Sequence, residues 1–148
     1  MSEPSRDTQE TCAECGARPV AGMNCKDQLA TILGWESADP ELSLLHFYTI
    51  ASFNLQHPAQ FTDEAIRVLR GVFVEALDGT TPIETLSRRM GAKFEGEKPV
   101  LRPAGDRHPV QRAWDVTAAD VFAGGRPDGA AYRVRRWATS VRAQMDPH

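Results

Sequence analysis

All three cysteines of the chain fall inside one short stretch, TCAECGARPVAGMNC, from Thr11 to Cys25. Two residues separate Cys12 from Cys15, nine separate Cys15 from Cys25, and Gly16 follows the second cysteine. A C-x-x-C-G turn lets two thiolates approach one ion at about 2.3 Å while backbone amides point at the sulfurs, and the glycine relieves the strain. A thioredoxin-like redox pair sits between a strand and a helix, a context absent around Cys12 and Cys15. Inert structural cysteines belong in apolar surroundings rather than among Glu14, Gly16, Arg18 and Asn24. The stretch therefore reads as a zinc knuckle that supplies three ligands of a metal site.

Tetrahedral zinc needs a fourth ligand, and the nitrogen donors of the chain are His46, His57, His108 and His148. His148 is terminal and His108 lies in a loose connection, so both rank low. On an ideal helix His46 and His57 share nearly one face but stand about 16 Å apart along the axis, too far to bind one ion together. If the helices that follow Asn24 and Asp39 form an antiparallel hairpin, Cys25 lies beside residues 50–53 of the second. The knuckle then lies beyond the amino end of the first helix, on the side of His57. This makes His57 the first choice and His46 the second, with an Asp or Glu closing an exposed site as the remaining alternative. As purely structural residues, His46 would be a core histidine bonded to a buried carbonyl, and His57 a cap before Pro58.

Helix punctuation is frequent along the rest of the chain and strand signals are scarce. Asn24 caps a helix over CKDQLATILGWE. Asp39 caps a second, opened by Pro40 and ended where Pro58 pushes His57 out of helical geometry. Leu42, Leu45, Thr49 and Phe53 on one side of it, and Leu44, Phe47, Ala51 and Leu55 on another, predict the most buried helix. Thr62 caps a third that stops at Gly79, with Ile66, Leu69, Val72, Phe73, Ala76 and Leu77 as its stripe. Thr81 and Pro82 open a fourth that closes at Gly91. Residues 92–115 read as an extended connection through Pro99, Pro103 and Pro109. A short helix follows in TAADVFAGG, then a terminal one with Ala131, Val134, Ala138, Val141 and Met145 as its apolar face. The expected fold is all-α, a compact bundle of about five helices with an N-terminal zinc-knuckle loop and one long Pro-rich connection.

With 148 residues the chain suits one domain spanning residues 1–148, of which the first ten read as flexible. No apolar run approaches the ~20 residues of a membrane span. The polar start MSEPSRDTQE has neither the basic nor the apolar part of a secretory signal, which sets a cytoplasmic location as the expectation. An odd number of cysteines in a reducing compartment argues against a disulfide framework. The net charge of −3 hides an asymmetry: residues 1–87 carry 5 basic and 13 acidic side chains, residues 88–148 carry 12 and 7. Basic charge alone is weak ground for nucleic-acid binding, which the sequence disfavours; packing within the chain or against a second copy, as a homodimer, is the preferred account.

The blocks at Cys12, Cys15, Gly16 and Cys25, at His46, at Gln56, His57 and Pro58, at Ala119, Asp120 and Val121, and at Trp137, Ala138, Ser140 and Val141 span nearly the whole chain. Together they resemble a family of uncharacterised bacterial proteins, largely actinobacterial, a domain of unknown function. In that family pattern an aspartate often stands where this chain has Ala51, and a histidine where it has Ala130. The resemblance implies the fold and the metal site, and that any second polar constellation built from those positions with His46 and His57 is half missing here. It implies no reaction.

Three thiolates on zinc make an electron-rich, four-coordinate site of structural rather than hydrolytic character. The leading expectation is thus a small zinc-binding helical protein with a structural Cys3His site, acting through an unknown protein or small-molecule partner. The alternatives are a metal-dependent or accessory enzyme of specialised metabolism with a helix-lined pocket near His46, His57, Tyr48 and Asn54, and a metal or redox sensor or transcriptional modulator using the arginine-rich terminal helix. No nucleophile elbow, phosphate loop, carboxylate pair or dinucleotide fingerprint supports an enzyme.

Overall fold

Asn24, Asp39, Thr62 and Thr117 each open an α-helix with a side chain that accepts a first-turn amide. The computed structural model describes residues 10–79, 81–93 and 100–145. Residues 1–9, part of the expected connection (94–99) and His148 lie outside the described residues. Among those described there are seven α-helices and no strand, only the isolated antiparallel bridges Val20–Met23 and Phe61–Leu101. The fold is all-α, as the sequence predicts. No helix is long and apolar enough to cross a membrane. The chain divides into two compact units, residues 1–56 with 110–148, and residues 57–109.

The first unit holds α1 (Cys25–Trp35), α2 (Pro40–Leu44), α3 (His46–Leu55), α6 (Ala118–Phe122) and α7 (Ala130–Met145). α1 opens on a capping box in which Asn24 Oδ1 accepts from the Asp27 amide at 2.9 Å and Asp27 Oδ2 from the Asn24 amide at 3.2 Å. Thr117 and Asp120 form the same reciprocal pair at the start of α6. Asp39 Oδ1 accepts from the Leu42 amide at 3.1 Å to start α2.

The second helix expected from the sequence is broken. Leu45 takes φ −99° and ψ 12° between α2 and α3, and its amide turns back to the Leu42 carbonyl at 2.9 Å. Apolar side chains at 42, 44, 45 and 47 surround the axis, so no single face holds that stretch straight. The break keeps Leu42 fully buried and leaves Leu44 80% exposed, which corrects its assignment to a core stripe. Along α3 the buried set is Thr49, Ala51, Ser52, Phe53 and Leu55.

The helix pairing also differs from the expected hairpin. α1 packs chiefly on α6, with Trp35 and Phe122 stacked at 6.1 Å, and α3 packs chiefly on α7. α7 brings Val134, Trp137 and Val141, all fully buried, into this core. α1 and α3 are thus neighbours in sequence that find different partners, since α6 and α7 offer apolar faces that neither would find in the other.

The second unit holds α4 (Asp63–Asp78) and α5 (Ile83–Lys93). Thr62 Oγ1 accepts from the Ala65 amide at 3.2 Å, and α4 ends at Gly79 with φ +74°. Buried residues are Ala65, Val72, Phe73 and Ala76 of α4 and Leu86 of α5. α5 runs past Gly91, where the sequence places its stop; glycine weakens a helix interior by only about 1 kcal/mol and does not by itself end one. The Pro-rich connection is not wholly loose either. Thr62 donates its amide to the Val100 carbonyl and Arg102 to that of Gln60, both at 2.9 Å, and residues Ala104–Asp106 make a 3-10 turn.

Thr81 donates to Glu75 Oε2 at 2.6 Å and Arg89 to Oε1 at 3.0 Å, joining α5 to α4. The Thr81 hydroxyl first, and Arg89 with it, hold the Glu75 carboxyl below its ordinary range. A depressed carboxyl stabilises the fold above its unfolded pKa, and that contribution fades as the pH falls through the lower folded value. An NMR titration is therefore expected to place the Glu75 carboxyl midpoint below the ordinary glutamate value, and Thr81→Val to move it upward.

Candidate metal centre

The N-terminal cysteines sit in a turn closed by backbone bonds. The Cys12 amide donates to the Ala17 carbonyl at 3.0 Å and the Gly16 amide to that of Cys12 at 3.1 Å. Three further amides point at sulfur: Glu14 and Cys15 donate to Cys12 Sγ at 3.4 and 3.5 Å, and Ala17 to Cys15 Sγ at 3.4 Å.

Gly16 stands at φ +77°, and a Cβ there would meet the Arg112 carbonyl only at 3.9 Å, an ordinary contact. The backbone angle alone demands glycine. Gly16→Ala is expected to cost about 1–2 kcal/mol through left-handed strain, read as a lower urea midpoint at unchanged slope.

The third cysteine is delivered by the capping box. With Asn24 as cap, Cys25 is the first residue of α1. The loop between the second and third cysteines is braced by Gln28, fully buried one turn further on. Its Nε2 donates to the Met23 carbonyl at 3.0 Å and to that of Arg18 at 3.4 Å. The segment after the connection lies along the knuckle: Arg112 donates its amide to the Glu14 carbonyl at 3.0 Å, and Gln111 Nε2 donates to that of Cys12 at 2.8 Å.

The fourth donor comes from the end of α3. Gln56 caps that helix, and His57, held out of helical geometry at φ −130° and ψ 59° before Pro58, is the next residue. Gln56 is 1% exposed and fixes this corner. Its Nε2 donates to the Val116 carbonyl at 2.8 Å, and its Oε1 accepts from Trp137 Nε1 at 3.1 Å.

The result is one cluster. A sulfur from each of Cys12, Cys15 and Cys25 and a ring nitrogen of His57 all lie within 4.8 Å of one another. Around tetrahedral zinc with bonds of about 2.3 Å, sulfurs stand about 3.8 Å apart, so closing on an ion needs only small side-chain movements. Cys15 is 2% exposed, Cys25 and His57 are each 7% exposed, and Cys12 is half-buried. The Cys25 thiol is pushed far above its ordinary range, first by its hydrogen bond with Cys12, then by that with Cys15, by burial, and by the charge of both. Three crowded sulfurs cannot all hold negative charge unless a cation shares the site.

His46 is placed elsewhere. It opens α3, and its Nδ1 meets Glu36 Oε1 and Oε2 at 2.9 and 3.0 Å, with the imidazole 57% exposed and the carboxylate 14%. His108 is exposed in the second unit. Tyr48 and Asn54 are half-buried on α3, and burial raises the Tyr48 hydroxyl above its ordinary value.

Sequence reasoning missed the supporting residues Gln28, Gln111 and the Gln56–Trp137 pair. A buried glutamine one turn after a helix-opening cysteine was the available signal for Gln28. The other contacts span 60 to 99 residues of chain and have no local signature.

The chain belongs to a family of unknown function, DUF5946, whose model matches residues 10–146, from before the knuckle to the end of α7. No curated protein and no solved structure matches the chain.

Proposed function

We propose that this member of DUF5946 is a small zinc-binding helical protein whose Cys3His site is structural, and that it acts by binding a protein or small-molecule partner. The convergence of Cys12, Cys15, Cys25 and His57 within 4.8 Å carries the reading. Three thiolates and one imidazole gathered this closely suit zinc better than the hard cations, which take oxygen. Catalytic zinc keeps an open position for water; burial of three of the four donors favours a closed site. Reduced, metal-held cysteines suit a reducing compartment such as the cytoplasm. The outward side of the molecule favours a partner: Tyr132 and Leu44 are 64% and 80% exposed, and Arg136 stands exposed one turn along α7 from Tyr132. Aromatic, aliphatic and guanidinium groups are what interfaces take up.

Metal analysis of the purified chain tests the proposal. One zinc per chain is expected, retained through dialysis. His57→Ala should lower zinc affinity by at least about tenfold, as loss of a ligand does, whereas His46→Ala should leave it unchanged. Cobalt in place of zinc should give the intense visible and sulfur charge-transfer bands of a tetrahedral thiolate site. Weak octahedral bands, or a chain isolated folded without metal, would sink the assignment.

A further inference from the structure

The four donors are not equally sheltered. Cys15, Cys25 and His57 are almost wholly covered, while Cys12 is half-buried. The amides of Glu14 and Cys15 donate to Cys12 Sγ at 3.4 and 3.5 Å. Its nearest partner along the chain is Cys15, in the same turn, with Sγ inside the 4.8 Å cluster. Cys25 belongs instead to the first turn of α1, opened by the Asn24–Asp27 box, whereas Cys12 and Cys15 share one short hydrogen-bonded turn. The turn from Cys12 to Cys15 needs only side-chain rotation to bring its two sulfurs into bonding range.

We propose that Cys12 and Cys15 form an oxidation switch for hydroperoxides, in which a disulfide between them releases the zinc; the proposal rests on the zinc reading above. Cys12 Sγ attacks one oxygen of hydrogen peroxide, the O–O bond breaks, and hydroxide leaves, giving a Cys12 sulfenic acid. The Cys15 thiolate then attacks Cys12 Sγ, the S–O bond breaks, and a second hydroxide leaves. Two protons from solvent convert both hydroxides to water. The two thiolates lose two electrons in all and the peroxide gains them. Two donors remain, Cys25 and His57, too few to retain zinc. The amino-terminal turn is then uncoupled from the end of α3. The compartment's thiol pool reduces the disulfide and restores the site.

The experiment uses the full zinc-loaded chain, a few-fold excess of hydrogen peroxide and a zinc-chelating dye. Cyanogen bromide at Met23 and a glutamate-specific protease at Glu10 and Glu14 place each cysteine on its own fragment, residues 11–14, 15–23 and 24–36. Release of one zinc per chain is expected, with fragment 11–14 joined to 15–23 and rebinding of zinc after dithiothreitol. On the loaded protein, iodoacetamide should label Cys12 at least about tenfold faster than Cys25, since exposed thiolates react first. Retention of zinc under peroxide, release with fragment 24–36 cross-linked instead, or equal labelling of the cysteines would overturn the switch and leave the zinc site standing. A purified chain without zinc would overturn the reading beneath it.

Discussion

Stripping the metal with a chelator at neutral pH, or replacing Cys15 by serine, is expected to abolish the cooperative unfolding transition of the unit that carries α1, α3 and α7. Apparent free energies for structural zinc in small domains reach about 10–16 kcal/mol, while whole domains are stable by about 5–15 kcal/mol. The balance is not recovered elsewhere, because Cys15, Cys25 and His57 are all within 7% of full burial and their mutual crowding is unfavourable without a cation. Circular dichroism during thermal melting, with and without chelator, reads the result. A metal-free chain with an unchanged, sharp transition would show that the fold does not depend on the ion.

Trp137→Ala should be the most damaging single substitution away from the cysteines. The indole is fully buried between α3 and α7, and truncating such a ring costs about 3–5 kcal/mol through lost burial and the cavity left behind. It also leaves Gln56 Oε1 without its donor, a further penalty of about 1–3 kcal/mol. Trp137→Phe separates the two contributions. It keeps most of the volume and removes only the N–H, so a loss of about 1–3 kcal/mol is expected. Urea titration of both variants measures the difference, and zinc content should remain at one per chain in Trp137→Phe. Equal destabilisation by Phe and Ala would mean that the hydrogen bond, not packing, holds this corner.

What could be read from residues alone was what is encoded locally. Asn24, Asp39 and Thr62 announce helix starts because a short polar side chain there satisfies amides two or three residues on, and all three do so. The cysteine turn is legible for the same reason: its spacing, its glycine and its amides lie within a few residues. The break at Leu45 was not legible, since no proline or glycine marks it. Nor was the pairing of α1 with α6 and α3 with α7, which depends on faces supplied by segments 75 or more residues away. The reasoning that ranked His57 before His46 used a hairpin the structure does not contain. The cluster nevertheless includes His57, because Pro58 turns that residue out of the helix wherever the helix lies.

The contact between Gln56 and Trp137 also gives the molecule an optical reporter. Of its three tryptophans, Trp137 alone is fully buried, and its indole N–H ends on a side chain one peptide bond from His57. Indole emission depends on the polarity and hydrogen bonding around the ring, so loss of the ion at His57 would be felt there as a red shift and a change in yield. Excitation of the native protein would therefore follow the state of the amino-terminal turn without any label.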